Sequence, residues 1–201
     1  MWTHHQKRLS GSEDFMNETL TVIRNRRSIR AFTKEQLKPE DIESIIQAGL
    51  YAPSASNAQN LHYTVIQNQA IIENIAKWIV DEVELTENDY LKDLVKRSGG
   101  IIFRNAPTVI IMSSDGKDRF GVVNAAAATQ NMLIAAESLA IGSCWIGMIA
   151  LLSGSKNIAA YAKTLMLPDG YVLQFGLTLG YKAAANPEAP ERKQNLVSYI
   201  K

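Results

Sequence analysis

The chain has 201 residues, 46% hydrophobic and 20% charged, with 21 Lys and Arg against 20 Asp and Glu for a net charge of +1. That length suits one globular domain of roughly 100 to 200 residues, and the composition excludes a disordered chain and gives no electrostatic footprint for nucleic acid. One cysteine and three histidines exclude an internal disulfide framework and leave too few side chains for a Cys/His metal site.

Residues 1–15, MWTHHQKRLSGSEDF, hold two of the histidines, His4 and His5, and read as a polar leader, either a cloning remnant or a misassigned start, with Met16 as the natural initiator. They contain no continuous apolar run of the kind a secretory signal needs, so a cytoplasmic location is expected. Residues 16–201 read as a single domain.

From Asn17, the positions of Leu20, Ile23 and Arg24 predict a short helix running into a basic cluster, Arg26, Arg27 and Arg30. A second helix follows from Pro39, a favoured first-turn residue, with Glu40 and Asp41 at its positive end and Ile42, Ile45, Ile46 and Leu50 at helical spacing. It stops near Tyr51, ahead of Ala52-Pro53. The uncharged loop 53–60 leads into a strand over 61–66, then helices over 69–82 and 87–96, with Ser98-Gly99-Gly100 as a break. Residues 107–112, β-branched and continuously apolar, predict a buried strand. Residues 120–140 are Ala-rich and long enough to raise the question of a membrane span, but Asn124, Gln130, Asn131 and Glu137 would each be costly in lipid. A helix buried on several sides and ended by Gly142 is expected instead. A further helix over 155–165, a Pro168-Asp169-Gly170 turn and a strand over 171–179 come next, with Gly176 and Gly180 as weak points or bulges. Residues 183–190 read as an extended tail that wraps a partner subunit, and 195–200 as a last short strand.

Few side chains are equipped for chemistry. His62 alone remains in the body, without a G-x-S-x-G elbow, so a Ser-His-Asp or Cys-His system is poorly supported and a cofactor is expected to supply the reactive atom. Arg26-Arg27-Ser28-Ile29-Arg30 could surround a phosphate with charge-assisted hydrogen bonds, or could be a solvated basic surface. The neutral donors and acceptors of 54–59 suit a heteroaromatic edge or sugar hydroxyls, or a plain helix-to-strand loop. Gly142-Ser143-Cys144-Trp145-Ile146-Gly147 allows close backbone approach to a planar ring, or is a helix-to-loop turn. Cys144 has no adjoining base and is expected to be inert or ring-contacting rather than nucleophilic. Arg192-Lys193 is a charge pair that either returns to the phosphate or stays solvated. His62 reads as a structural imidazole and Trp78 as core.

Taken in order, R-R-S-I-R-x-F, A-P-S-A-S-N-A-Q, the Ala-rich helix, G-S-C-W-I-G and the terminal L-G-Y…P-E-R-K resemble the nitroreductase family of FMN-dependent NAD(P)H oxidoreductases over about residues 17–201. The resemblance implies an α+β fold with a central, mostly antiparallel sheet flanked by helices, forming an intertwined homodimer with FMN at the subunit interface. It implies that Arg26, Arg27 and Ser28 hold the phosphate and ribityl chain, with Arg192 and Lys193 closing on the phosphate. Arg30 is placed at the N1/O2 edge of the flavin, where a fixed cation stabilises the charge built up on reduction. Pro53, Ser54, Ala55 and Asn57 would come from the other subunit. Cys144, Trp145, Ile146 and Gly147 would line a ring face, with a backbone N–H near N5. Residues 99–102 lack the Asn and Lys that some members set against the flavin, which leaves Arg30 as the main cation there. The implied activity is ping-pong hydride transfer from a transient NAD(P)H to nitroaromatics or quinones, with no metal, nucleic acid or membrane partner. A flavin-binding or sensing protein with little turnover, and an anion-binding domain built on the arginine cluster, are the alternatives.

Overall fold

One four-stranded antiparallel sheet, in the order β1-β2-β4-β3, organises the computed structural model, which describes residues 17–201. Its strands are β1 (Leu61–Ile66), β2 (Thr108–Asp115), β3 (Ile141–Ile146) and β4 (Tyr171–Tyr181). The expectations for the leader 1–15, including His4 and His5, and for a start at Met16 lie outside the described residues.

β2 is apolar without alternation because both of its faces are covered. Val109 and Ile111 join one core and Ile110 and Met112 the other. Against the first face pack α3 (Gln69–Glu84), α4 (Asp89–Ser98), a 3-10 helix (Gly147–Gly154) and α6 (Ile158–Thr164). α3 buries Ile72, Ile75, Ile79 and Val83 along a single stripe, as its period requires. Trp78, on a neighbouring position of that helix, stacks on Tyr161 with 4.4 Å between ring centroids. Against the second face pack α2 (Pro39–Leu50) and α5 (Gly121–Ser138), with Ile42, Ile45, Met132 and Ala136 in the core.

Local chemistry fixes the helix starts. The side chains of Asn17, Asn68 and Asn88 each accept the N–H three residues on, at 2.9, 3.2 and 3.1 Å, and so begin α1 (Glu18–Asn25), α3 and α4. Such caps satisfy donors that have no intrahelical partner. The cap at Asn88 starts α4 at Asp89 rather than 87, and the helix runs to a left-handed Gly99 (φ 60°).

Four expectations are corrected. Residues 142–147 are not a turn that ends the Ala-rich helix. α5 stops at Ser138, Ala140 takes the left-handed position (φ 58°), and Ile141–Ile146 is strand β3, paired with β4 from Ile141↔Tyr181 to Ile146↔Gly176. Gly142 serves close packing instead, since a Cβ there would lie 2.9 Å from Ile29 Cγ2. Second, the register break between β2 and β4 falls at Met112/Ser113, opposite the unpaired Gln174, and not at Gly176 or Gly180. Third, the helix expected over 155–165 is only α6, preceded by the 3-10 helix. Fourth, residues 195–200 form no strand and are exposed. Among the described residues, no helix is long and apolar enough to cross a membrane.

Candidate functional site

A bridge beside β3 assembles the site. Ile29 N–H donates to the Ser143 carbonyl at 2.8 Å, and Ser28 pairs with Ser143 in parallel. The basic segment therefore runs alongside β3, and its parallel direction carries Arg30 toward the strand's C-terminal end. There Arg30 and Arg104 share a cleft of about 530 Å³ with Cys144, Trp145, Ile146 and Gly147, roofed by Leu91 and Leu94 of α4 and by Met148 and Leu151 of the 3-10 helix.

The walls are apolar and held in place. Trp145 meets Phe175 edge to face with centroids 4.8 Å apart. Gly147 is exposed, and nothing lies within 4 Å of where its Cβ would stand. Burial pushes the Cys144 thiol up, and this outweighs the lowering by the Arg30 and Arg104 charges, the Ser28 hydrogen bond and the Arg26 charge. Three guanidiniums thus stand in electrostatic reach of a cleft-lining thiol that burial holds in its protonated form.

The tail begins beside the same segment. Ala183 N–H donates to the Ala31 carbonyl at 3.1 Å, and Asn186 Nδ2 donates to the Asn25 carbonyl and to Glu137, both at 2.9 Å. Glu137 also pairs with Lys182 at 2.9 Å, both side chains being largely buried. A second, smaller hollow of about 290 Å³ lies between Ser28–Ala31 and Ala184, Ala185 and Pro187.

Other expected residues stand elsewhere. Arg27 Nη1 donates to the Arg24 and Arg26 carbonyls, both at 2.7 Å, so it caps the end of α1, while its buried Nε has no partner. Arg192 and Lys193 are exposed in the tail and do not line the cleft. Pro53, Ser54 and Asn57 line a separate cavity of about 600 Å³ with Gln59, Tyr63 and Asn124. No acidic or basic side chain lines that cavity, and burial pushes the Tyr63 hydroxyl up to about 12. Ala55 N–H donates to Asn124 Oδ1 at 2.9 Å, and Asp118 Oδ2 accepts from Asn60 Nδ2 and Asn124 Nδ2, both at 3.0 Å. His62 packs edge to face on Tyr171, with 6.4 Å between centroids.

Sequence reading missed Arg104, the roof residues of α4, and the Asp118–Asn124 clamp. Only the clamp had a signal, the Asx-rich pattern around a helix start. Arg104 is delivered by two consecutive left-handed residues, Arg104 and Asn105 (φ 57° and 55°), which no periodicity announces.

Apolar walls, an open backbone at Gly147 and the Arg30 cation fit a planar group that carries negative charge. Arg26 and Ser28, beside Cys144, and the unused Arg27 Nε fit an attached phosphate. Among the described residues, no three His, Cys, Asp or Glu side chains converge as metal ligands.

Comparison with known proteins agrees with this chemistry. The chain is similar in structure to an FMN-bound nitroreductase of Bacteroides fragilis, with 29% identity, a TM-score of 0.83, and coverage of 92% of this chain and 100% of that one. An FMN-bound nitroreductase of Desulfitobacterium hafniense gives 26% identity and a TM-score of 0.84 at the same coverage. In sequence it is 29% identical over 191 residues to an NADPH-flavin oxidoreductase of Vibrio harveyi, covering 88% of this chain and 70% of that protein. The sequence model of the Nitroreductase family matches residues 23–181, and the chain belongs to that family.

Proposed function

We propose that this protein is an FMN-dependent oxidoreductase that takes hydride from NADH or NADPH and reduces small electron-poor acceptors, nitroaromatics or quinones, in a ping-pong sequence. The observation that carries the reading is the cleft where Arg30 meets the apolar wall Cys144–Gly147, in a chain of the nitroreductase family whose relatives are FMN-bound or NADPH-dependent flavin enzymes.

Bound in that cleft, FMN would supply the site that accepts and releases hydride. The chain's own residues hold and tune it. Arg26, Arg27 and Ser28 would bind the phosphate and ribityl chain, which requires Arg27 to leave the carbonyls it now caps, and Arg192 and Lys193 would close from the tail. Arg30 keeps a fixed cation where negative charge grows on reduction. Cys144, Trp145, Ile146 and Gly147 exclude water from one face, and the protonated Cys144 takes no part in proton transfer. Donor and acceptor then use the remaining open face in turn, so the oxidised nicotinamide leaves before the acceptor enters.

An intertwined homodimer belongs to the same proposal. Pro53, Ser54 and Asn57 line a different cavity from Arg30, with Ala55 in the same loop held by Asn124, and a second copy would bring the two halves together. Exposed apolar side chains support this, among them Val123 (60%), Tyr51 (85%) and Tyr199 (83%). A cytoplasmic location is also proposed, in keeping with a nicotinamide-dependent activity like that of the NADPH-flavin oxidoreductase relative.

The test is to load the purified protein with FMN, desalt it, and follow NADH and NADPH oxidation with and without a quinone. Retained flavin absorbance and quinone-stimulated oxidation are expected. A colourless protein defeats the cofactor assignment, and retained flavin without oxidation defeats the enzymatic one in favour of a flavin-binding module.

A further inference from the structure

The turn after α4 is pinned on both sides. Ile102 and Phe103 are each 2% exposed in the first core, and Ala106 is fully buried ahead of β2. Between these anchors Arg104 and Asn105 both adopt left-handed φ, a conformation that a non-glycine residue takes only at a cost. The result is that Arg104, half-buried, lines the same cleft as Arg30.

Two guanidiniums therefore share one apolar cleft, and none of the side chains lining it is acidic. Among the described residues the Arg30 guanidinium makes one hydrogen bond, a long one from Nη1 to the Ser28 carbonyl at 3.4 Å. The Arg104 backbone N–H donates to the Ile101 carbonyl at 3.3 Å, but its guanidinium has no hydrogen bond or ion pair to a described residue and acts only through its charge on the Cys144 thiol. A partly desolvated cation without a counter-ion is costly, and an anion brought by a ligand relieves that cost. Arginine does so through paired N–H donors that match a carboxylate.

We propose that Arg104 is a specificity-determining residue that selects acceptors carrying a carboxylate or similar anionic group on an aromatic body. The proposal rests on the flavin reading above, in which Arg30 serves the flavin edge and Arg104 is left for the substrate. The same anion chemistry could come from the phosphates of the nicotinamide donor, and the test separates the two.

Benzoate and its neutral analogue benzamide are titrated by calorimetry into the FMN-loaded protein, its Arg104→Gln and Arg104→Lys variants, and the protein without FMN. Turnover of 4-nitrobenzoate and 4-nitrobenzamide is measured beside them. Benzoate is expected to bind the unaltered protein about tenfold or more tightly than benzamide, the scale of a charge-assisted hydrogen bond. Arg104→Gln should remove that preference and raise KM for 4-nitrobenzoate with little change in kcat, while Arg104→Lys keeps part of it. KM for NADPH and the flavin midpoint potential should stay unchanged in both variants. Equal binding of benzoate and benzamide to the unaltered protein overturns the proposal. So does an Arg104→Gln effect confined to the KM of NADPH, which assigns the residue to the donor's phosphates, or a lowered midpoint potential with preference intact, which assigns it to the flavin. Failure to take up FMN defeats the flavin reading and the acceptor role with it, and is told apart from failure of the Arg104 assignment because the benzoate titration without FMN still reads anion binding at that residue.

Discussion

Cys144 shows how surroundings decide what a reactive residue does. It is the one thiol of the chain, it lies beside three arginines, and burial still holds it protonated. Cys144→Ser should therefore leave hydride transfer within about threefold of the unaltered rate, because no thiolate takes part, and iodoacetamide should alkylate the native protein far more slowly than the unfolded one. Loss of turnover on the serine substitution, beyond what lost flavin explains, would return the thiol to the mechanism. Arg30 should behave in the opposite way. Arg30→Gln keeps a polar side chain and removes the charge, and a lower flavin midpoint potential is expected, read by dye equilibration; an unchanged potential would contradict its placement at the flavin edge. Gly180 is a third single-residue test. A Cβ there would stand 2.7 Å from Pro107 Cδ and 2.9 Å from Phe32 Cδ1, so Gly180→Ala should cost about 1–3 kcal/mol by overpacking, measured by denaturant unfolding.

At the scale of elements, the clamp between the 54–60 loop and the start of α5 depends on a carboxylate. Hydrogen bonds from Asn60 foremost, then from the Phe120 backbone N–H, with Asn124 also contributing, hold the Asp118 pKa below its ordinary value despite an opposing push from desolvation. A carboxyl whose folded pKa is depressed stabilises the fold above its unfolded pKa, and that contribution disappears as pH falls through the folded value. The denaturant midpoint should therefore fall in acid for the native protein, and Asp118→Asn should lose stability at neutral pH while showing a shallower acid limb. Parallel acid limbs for both proteins would exclude the clamp as a pH-dependent contributor. The same scale shows which elements a sequence discloses. α2, α3 and β2 were legible because periodic or continuous apolar residues report the faces they cover. β3 was not, because Gly142 and Ser143 interrupt its apolar pattern for a reason found only in the fold, the close approach of Ile29. The same holds for the site: Arg30 and Cys144–Gly147 could be placed through motif order, whereas Arg104 reaches the cleft through a turn whose shape is imposed by core residues on either side, and Arg27 was drawn away by local carbonyls at the end of α1.

The whole molecule places the Pro53–Asn57 loop and Arg30 at different cavities of one chain and leaves residues 187–201 exposed, with Leu196, Val197, Tyr199 and Ile200 among the exposed apolar side chains. Isolated apolar residues on a surface need no explanation, but a tail this rich in them gains by covering a partner. Sedimentation should show a dimer for the full chain, and deletion of residues 188–201 should lower both dimer fraction and FMN content; a full-length monomer that retains FMN would contradict the shared site. The most direct measurement of the central claim is an anaerobic titration of the FMN-loaded, desalted protein with NADPH and with NADH, followed through the visible flavin absorbance. Bleaching by at least one of the two in proportion to hydride added, and recovery when a quinone is supplied, is the predicted result. Absorbance that neither nicotinamide changes, or none retained at all, would contradict it.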